Sequence, residues 1–131
     1  MEKREVVQAV LSAALDKKAG EVSVYDVREL AGYTDYIVVC NGRSDRHVQA
    51  IAEGVALALS QRGEKPVGIE GAERGTWVLL DFVDVVVHVF YEGVRDFYDL
   101  DGLWSDAPRI HHAPGYEGDE APYARAAGFG L

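Results

Sequence analysis

Residues Trp77–Phe90, WVLLDFVDVVVHVF, are the most informative part of the sequence, because their two faces can be assigned separately. They contain two apolar, β-branched runs, Thr76–Asp81 and Asp84–Phe90, separated only by Phe82-Val83. Two such runs with so short a connection predict an antiparallel β-hairpin. Neither Phe nor Val favours a positive φ, so we expect a looser turn or a bulge at the connection.

Side chains alternate along a strand, and this alternation divides the hairpin into two faces. Placing Asp81 opposite Asp84 puts Trp77 across from His88. One face is then purely aliphatic and is predicted to be core: Val78, Leu80, Val85, Val87 and Val89. The other face is mixed: Trp77, Leu79, Asp81, Asp84, Val86, His88 and Phe90. Such a face suits contact with another molecule, but loops or the C-terminal tail covering part of it fit the pattern equally well.

Length and composition describe an ordinary globular protein. The chain has 131 residues, 48% of them hydrophobic and 27% charged, which indicates about one domain with a core of its own. A single cysteine, Cys40, lies in an apolar run, so no disulfide framework is expected and a reducing compartment is favoured. No apolar run approaches the ~20 residues of a membrane span, and the acidic start MEKREVVQAV is unlike a signal peptide. We therefore expect a cytoplasmic protein with no membrane partner.

The net charge of −9, from 22 acidic and 13 basic residues, limits the class of partner. Binding to the phosphates of nucleic acid needs clustered Lys and Arg side chains, so we expect no direct sequence-specific nucleic acid binding. A surplus of acid suits a basic protein as the partner. It also keeps a protein soluble, and the charge alone does not separate these two interpretations.

The rest of the chain alternates helical and strand patterns. Apolar spacing predicts an amphipathic helix over Glu5–Lys18 and a second one that starts with Ser44 or Asp45 as N-cap and ends before Gly63. Strands are predicted at Val22–Val27, Asp35–Asn41 and Pro66–Glu70, and a short helix within Tyr91–Leu103. The order predicts an α/β (α+β) fold, with a mixed sheet of about five strands and two main helices on one face. The face that holds Trp77 and His88 is then left relatively open.

The composition changes near residue 107. Three Ala-Pro steps and several glycines follow, with few large apolar side chains. Such a segment buries little surface, so we predict one domain over residues 1–106 and a flexible Pro/Gly-rich tail over residues 107–131.

One enzymatic alternative is a metal-dependent nucleotidyltransferase, because a strand leads through Gly42-Arg43-Ser44 into a helix, with Asp81 and Asp84 on later strands. That chemistry needs carboxylates that converge on shared metal ions, normally from positions two apart on one strand. Here the two acids are three apart across a turn, and an ordinary N-cap explains the helix start more simply than an anion site.

The histidines and the cysteine do not form a recognisable metal site or catalytic site either. His47, His88 and the pair His111-His112 lack the spacing of a structural zinc site, and Cys40 fits the core better than a nucleophile. We predict no catalytic residue, no cofactor and no metal.

Several separated motifs, in order, resemble one known family, the Iojap-related ribosomal silencing factors, RsfS. They are TDYIVVCNGRSDRHVQAIA, Glu70-Gly71, Gly75 to Trp77, WVLLDFVDVVVHVF, Arg95 with Phe97-Tyr98, and LDGLWSDA. The resemblance runs from about Val6 to Ala107. One departure concerns the turn, where the family commonly has an aromatic-Gly pair and this chain has Phe82-Val83.

The resemblance implies a non-enzymatic factor that binds ribosomal protein L-fourteen on the large subunit. Such a factor blocks association with the small subunit and represses translation under nutrient limitation. It also implies a homodimer and a nucleotidyltransferase-like topology without the catalytic acids. A binding module for some other basic protein remains an alternative.

Six residues are candidates for binding the partner. Trp77, Asp81, Asp84 and His88 are favoured both by the face assignment of the hairpin and by the resemblance. Arg95 and Tyr98 rest on the resemblance alone.

Overall fold

The computed structural model describes residues 1–113. Its helices and strands, in chain order, are α1 (Lys3–Asp16), β1 (Gly20–Asp26), β2 (Tyr36–Gly42), α2 (Asp45–Ser60), β3 (Gly68–Glu70), β4 (Trp77–Asp81), β5 (Val85–Tyr91), α3 (Glu92–Tyr98), α4 (Leu100–Leu103) and β6 (Arg109–Ala113). The N-cap of α2 is Ser44, whose hydroxyl oxygen accepts a hydrogen bond from the backbone N–H of His47 at 3.0 Å. In the described part of the chain, none of the helices is long and apolar enough to cross a bilayer.

The strands form one mixed sheet in the order β3-β4-β5-β2-β1-β6. The neighbours β2 and β5 run parallel, and the other neighbouring strands pair antiparallel. Strand β2 lies inside the sheet and is buried on both faces, as its apolar sequence predicts. Helices α1 and α2 pack together on one face, over the aliphatic side of the hairpin, so the predicted fold class is confirmed.

The sixth strand, β6, was not predicted. It lies within the stretch assigned to a flexible tail from residue 107, where it pairs antiparallel with the outer edge of β1. Ala113 is buried and Ile110 packs against the helix-side core, so the strand contributes apolar contacts as well as backbone hydrogen bonds. On this strand His111 is half-buried and His112 is exposed. Residues 114–131 of the predicted tail lie outside the described residues.

The hairpin forms as predicted, but its register is shifted by two residues. Trp77 pairs with Phe90 and Leu79 pairs with His88, so the predicted pairing of Trp77 with His88 was wrong. A shift of two leaves every side chain on its assigned face, because the side-chain period is also two. The physical reason lies in the turn: Asp84 falls outside β5, and the N–H of Phe82 bonds to the carbonyl of Val85 at 2.9 Å.

The expected looser turn or bulge does not form, because the hairpin closes through a tight turn centred on Val83. Its φ is +73°, a left-handed conformation that β-branched residues rarely adopt. The carbonyl of Phe82 accepts a hydrogen bond from the N–H of Asp84 at 2.9 Å, which makes a tight γ-turn around Val83. The N–H of Val83 donates to a carboxylate oxygen of Asp81 at 2.8 Å. This turn therefore holds backbone strain in exchange for a closed hydrogen-bond pattern.

We expect Val83→Gly to stabilise the protein by about 1 kcal/mol. Removing the side chain relieves a strain of roughly 1–3 kcal/mol, part of which is offset by the greater freedom of glycine in the unfolded chain. Little burial is lost, because Val83 is 54% exposed. Thermal or urea unfolding measures the change. Val67→Gly is the matched control, since Val67 is similarly exposed beside the same hairpin but has no positive φ, and this variant should be destabilised. A Val83→Gly protein less stable than the wild type would contradict the assigned turn.

The second face of the sheet is less open than predicted. Over β1, β2 and β5 it is covered by α3, α4 and the loop that follows α4. The buried residues of this second cluster are Tyr25, Val27, Ile37, Val39, Phe90, Trp104 and Ala107. The alternative, that loops or the C-terminal tail cover part of the face, is correct for the loop after α4, but α3 and α4 supply the rest of the cover. The open part lies along β4 and β3, where Leu79 and Asp81 are half-buried and Glu70 is exposed.

Candidate functional site

A row of four aromatic side chains runs from the second cluster to solvent. Phe90 contacts Trp77 with ring centroids 4.8 Å apart, Trp77 contacts Tyr98 at 4.7 Å, and Tyr98 contacts Phe97 edge-on at 5.1 Å. Exposure rises along the row, from 0% for Phe90 through half-buried Trp77 to 53% for Tyr98 and 80% for Phe97. We call these four residues the aromatic row. Its outer end is a large apolar surface supported by rings packed behind it.

The loop before β4 fixes the backbone at Trp77. Gly71 has φ +82°, and a Cβ at this position would collide with the carbonyl oxygen of Trp77, so only glycine fits. The side-chain amide of Gln49 on α2 donates to the carbonyls of Ala72 and Glu73 at 2.9 and 3.0 Å. Helix α2 thereby holds the loop, and the loop holds the first residue of β4.

His88 lies on β5 beneath Trp77 and is 6% exposed. The indole N–H of Trp77 donates to Nδ1 of His88 at 3.0 Å. Burial lowers the pKa of His88 to about 4, so at neutral pH its ring is uncharged and Nδ1 can accept this hydrogen bond. His88 therefore supports Trp77 from inside the protein.

Arg95 is buried in the middle of α3, with 5% of its surface exposed. Its guanidinium forms two hydrogen bonds to the carboxylate of Asp101, each 2.9 Å long. The same group donates to the side chain of Asn41 at 2.8 Å and to the backbone carbonyl of Glu21. Burial alone would raise the pKa of Asp101, but hydrogen bonds from Arg95 and Tyr25 hold it below its usual value. Arg95 thus ties α3 and α4 to β1 and β2.

The two hairpin acids lie apart from the aromatic row and do not converge. Asp81 is at the far end of β4 from Trp77, about 13 Å away for four residues of strand. Asp84 is exposed in the turn, on the side of Lys3 and Arg28. Among residues 1–113, no group of three or more His, Cys, Asp or Glu side chains is placed to hold a metal ion. Cys40 is fully buried, and burial raises the pKa of its thiol to about 12, so it belongs to the core.

The six candidate residues therefore separate into groups. Trp77, His88 and Tyr98 are brought into direct contact. Asp81 shares the strand face with Trp77, and Asp84 lies at the turn. Arg95 makes only internal hydrogen bonds in this conformation, so any effect of it on a partner is through the position of α3.

Sequence reasoning missed Phe97 as a site residue. The family motif contains both Phe97 and Tyr98, but only Tyr98 was named as a candidate, yet Phe97 is the most exposed large apolar residue in the described chain. Consecutive residues on a helix point about 100° apart, so two adjacent aromatics cannot both face the sheet. That geometric rule was the signal available for finding it.

The comparisons with a family model and with known proteins all point to the same family. Residues 1–128 match the family model described as "Ribosomal silencing factor during starvation". This match extends past Ala107, where the motif resemblance ended. A ribosomal silencing factor from Halalkalibacterium halodurans is 37% identical over 110 residues, covering 84% of this chain and 94% of that protein. The one from Bacillus subtilis is 36% identical, covering 82% and 92% of the two chains.

The fold is also similar to that of solved structures. A crystal structure of a protein from Chromobacterium violaceum superposes with a TM-score of 0.79 and 36% sequence identity, covering 92% of this chain and 99% of that one. A second crystal structure, from Bacillus halodurans, has a TM-score of 0.75 and 35% identity, covering 83% and 99%.

Proposed function

Since the chain belongs to the RsfS family of ribosomal silencing factors, we propose that it binds ribosomal protein L-fourteen on the large ribosomal subunit and blocks association with the small subunit. Translation would thereby be repressed under nutrient limitation. Its relatives are named as regulatory factors rather than enzymes. In line with the family, we also propose that the chain acts in the cytoplasm, as a homodimer and without catalysis.

The observation that carries the site proposal is the exposed end of the aromatic row. Tyr and Phe are enriched in the centres of protein interfaces, where a few large side chains supply most of the binding free energy. Tyr98 and Phe97 are exposed here and are supported by Trp77 and Phe90 behind them. A rigid, supported ring loses little conformational freedom on binding.

The acidic side chains on the open part of the sheet and on α3 favour a basic protein as the binding partner. Glu70 lies opposite Leu79 on the open part of the sheet, Asp81 lies further along the same face, and Asp96 is exposed next to Phe97. Acids around an apolar centre complement Lys and Arg on the partner and raise the rate of encounter. The net charge of −9 acts in the same direction.

The proposal predicts inhibition of subunit joining. Purified small and large subunits mixed with excess protein should remain separate in a sucrose gradient. The bound protein would occupy the surface of the large subunit that the small subunit needs for association. Subunits that are already joined should be affected less. Free subunits that fail to accumulate would contradict the silencing role.

Direct binding to isolated L-fourteen separates the two binding hypotheses. Under the proposed function, purified L-fourteen competes with the large subunit for the protein. If the protein binds large subunits but not L-fourteen, its partner is another basic ribosomal protein, which is the alternative that the charge pattern left open.

A further inference from the structure

The indole of Trp77 points its polar edge inward. Its N–H donates to Nδ1 of His88 on the neighbouring strand, with the ring centroids 5.9 Å apart and the rings tilted by 43°. Phe90 and Tyr98 contact the same indole. One hydrogen bond and two ring contacts therefore fix both the position and the rotation of this side chain.

In this hydrogen bond Trp77 can only be the donor and His88 can only be the acceptor. An indole has a single polar group, its N–H donor, so an N–H that bonds to His88 is not available to a partner. The acceptor exists only in the neutral ring, with the proton on Nε2. The burial of His88 favours this neutral form at physiological pH.

We infer that His88 is a positioning residue for the aromatic row: it turns the Trp77 N–H into the protein, so that a partner meets only the carbon surface of the indole. The inference rests on the proposed function and specifies the partner chemistry at this point. The group that contacts Trp77 is an apolar side chain or the aliphatic stem of a lysine or arginine, and not a hydrogen-bond acceptor. His88 acts through Trp77 and does not itself contact the partner.

The free protein provides the first test, which does not depend on the ribosome. The indole N–H resonance of Trp77, assigned by its loss in Trp77→Phe, should lie downfield and exchange slowly with solvent. His88→Leu removes the acceptor at similar volume, and should move the resonance upfield and speed its exchange. His88→Asn carries an oxygen near the position of Nδ1 and should stay closer to the wild type. A resonance unchanged in His88→Leu would overturn the inference.

A double-mutant cycle on isolated large subunits provides the second test. His88→Leu and Trp77→Phe should each weaken binding by roughly three- to tenfold, the worth of one hydrogen bond. In the Trp77→Phe background, His88→Leu should have no further effect, because the bond that it acts through is already gone. Independent, additive losses would show that His88 contacts the partner or acts by another route.

Folding and binding should also rank the two His88 variants in opposite order. Leucine in a buried site should unfold at a higher temperature than asparagine, whereas asparagine should bind large subunits more tightly. The same order in both measurements would mean that His88 is merely structural. If the wild type does not bind large subunits at all, the proposed function fails, and the indole resonance still decides the role of His88.

Discussion

Replacing Phe97 and Tyr98 together with alanine should weaken binding to isolated large subunits by about a hundredfold or more. Truncating an interface aromatic of this kind commonly costs about 2 kcal/mol of binding free energy. The losses for two residues in contact are not fully additive, so we expect a total loss near ~3 kcal/mol. Stability should change little, because both side chains are mostly exposed. Equilibrium binding and thermal unfolding of the same preparations measure the two effects.

The matched control replaces two exposed apolar residues elsewhere, Leu57 on α2 and Val67 before β3. This Leu57→Ala, Val67→Ala protein also loses exposed apolar surface, but outside the aromatic row, and should bind as the wild type does. Equal losses in both proteins would mean that the aromatic row is not the interface. Trp77→Ala is a poorer probe of the interface, since Trp77 packs on Phe90 and its removal should also lower stability.

Arg95→Met should lower the free energy of unfolding by about 3 kcal/mol and the melting temperature by roughly 10 °C. The substitution leaves the carboxylate of Asp101, the amide of Asn41 and the carbonyl of Glu21 without their shared donor. Breaking a buried pair by removing one partner typically costs 3–5 kcal/mol. The low end applies here, because Asp101 is only partly buried.

Three comparisons isolate the role of the fork-shaped guanidinium. Arg95→Lys should recover only a small part of the loss, since an ammonium cannot make the two parallel bonds to Asp101. Arg62→Met, at an exposed position just after α2, should be nearly neutral. In an Asp101→Asn background the Arg95→Met change should cost less than in the wild type. An Arg95→Met protein as stable as the wild type would show that the network does not hold α3 in place.

The faces of the hairpin were predictable from the sequence, whereas its register was not. Alternation of side chains fixes which residues share a face, and a shift of two preserves it, so Val78 and Val87 were correctly assigned to the core. The register depends on the turn, and the turn depends on Val83 adopting a left-handed conformation that its side chain disfavours. Local propensity gave no means of predicting that outcome.

Contacts between distant parts of the chain account for the remaining differences. Glu21, Asn41 and Asp101 meet at Arg95 from separate elements, and no spacing in the sequence connects them. Strand β6 was missed for a similar reason: Pro108 and Pro114 flank it, which is typical of a loop, and it forms a strand by pairing with the outer edge of β1. In the cluster around Trp77, the sequence named Trp77, His88 and Tyr98 as candidates but not Phe97, whose exposure follows from the orientation of α3.

The pairing of β6 with β1 also constrains how the protein is made. Ala113 lies opposite Val22, so β1 gains its outer neighbour only after nearly the whole described chain has left the synthesis machinery. Until then a nascent chain displays a bare strand edge, which is a template for pairing with another copy. Closing so long a loop is also slow relative to forming the local hairpin. After β5 has been made, the outer edge of β1 therefore remains open to pairing with another copy until β6 is synthesised.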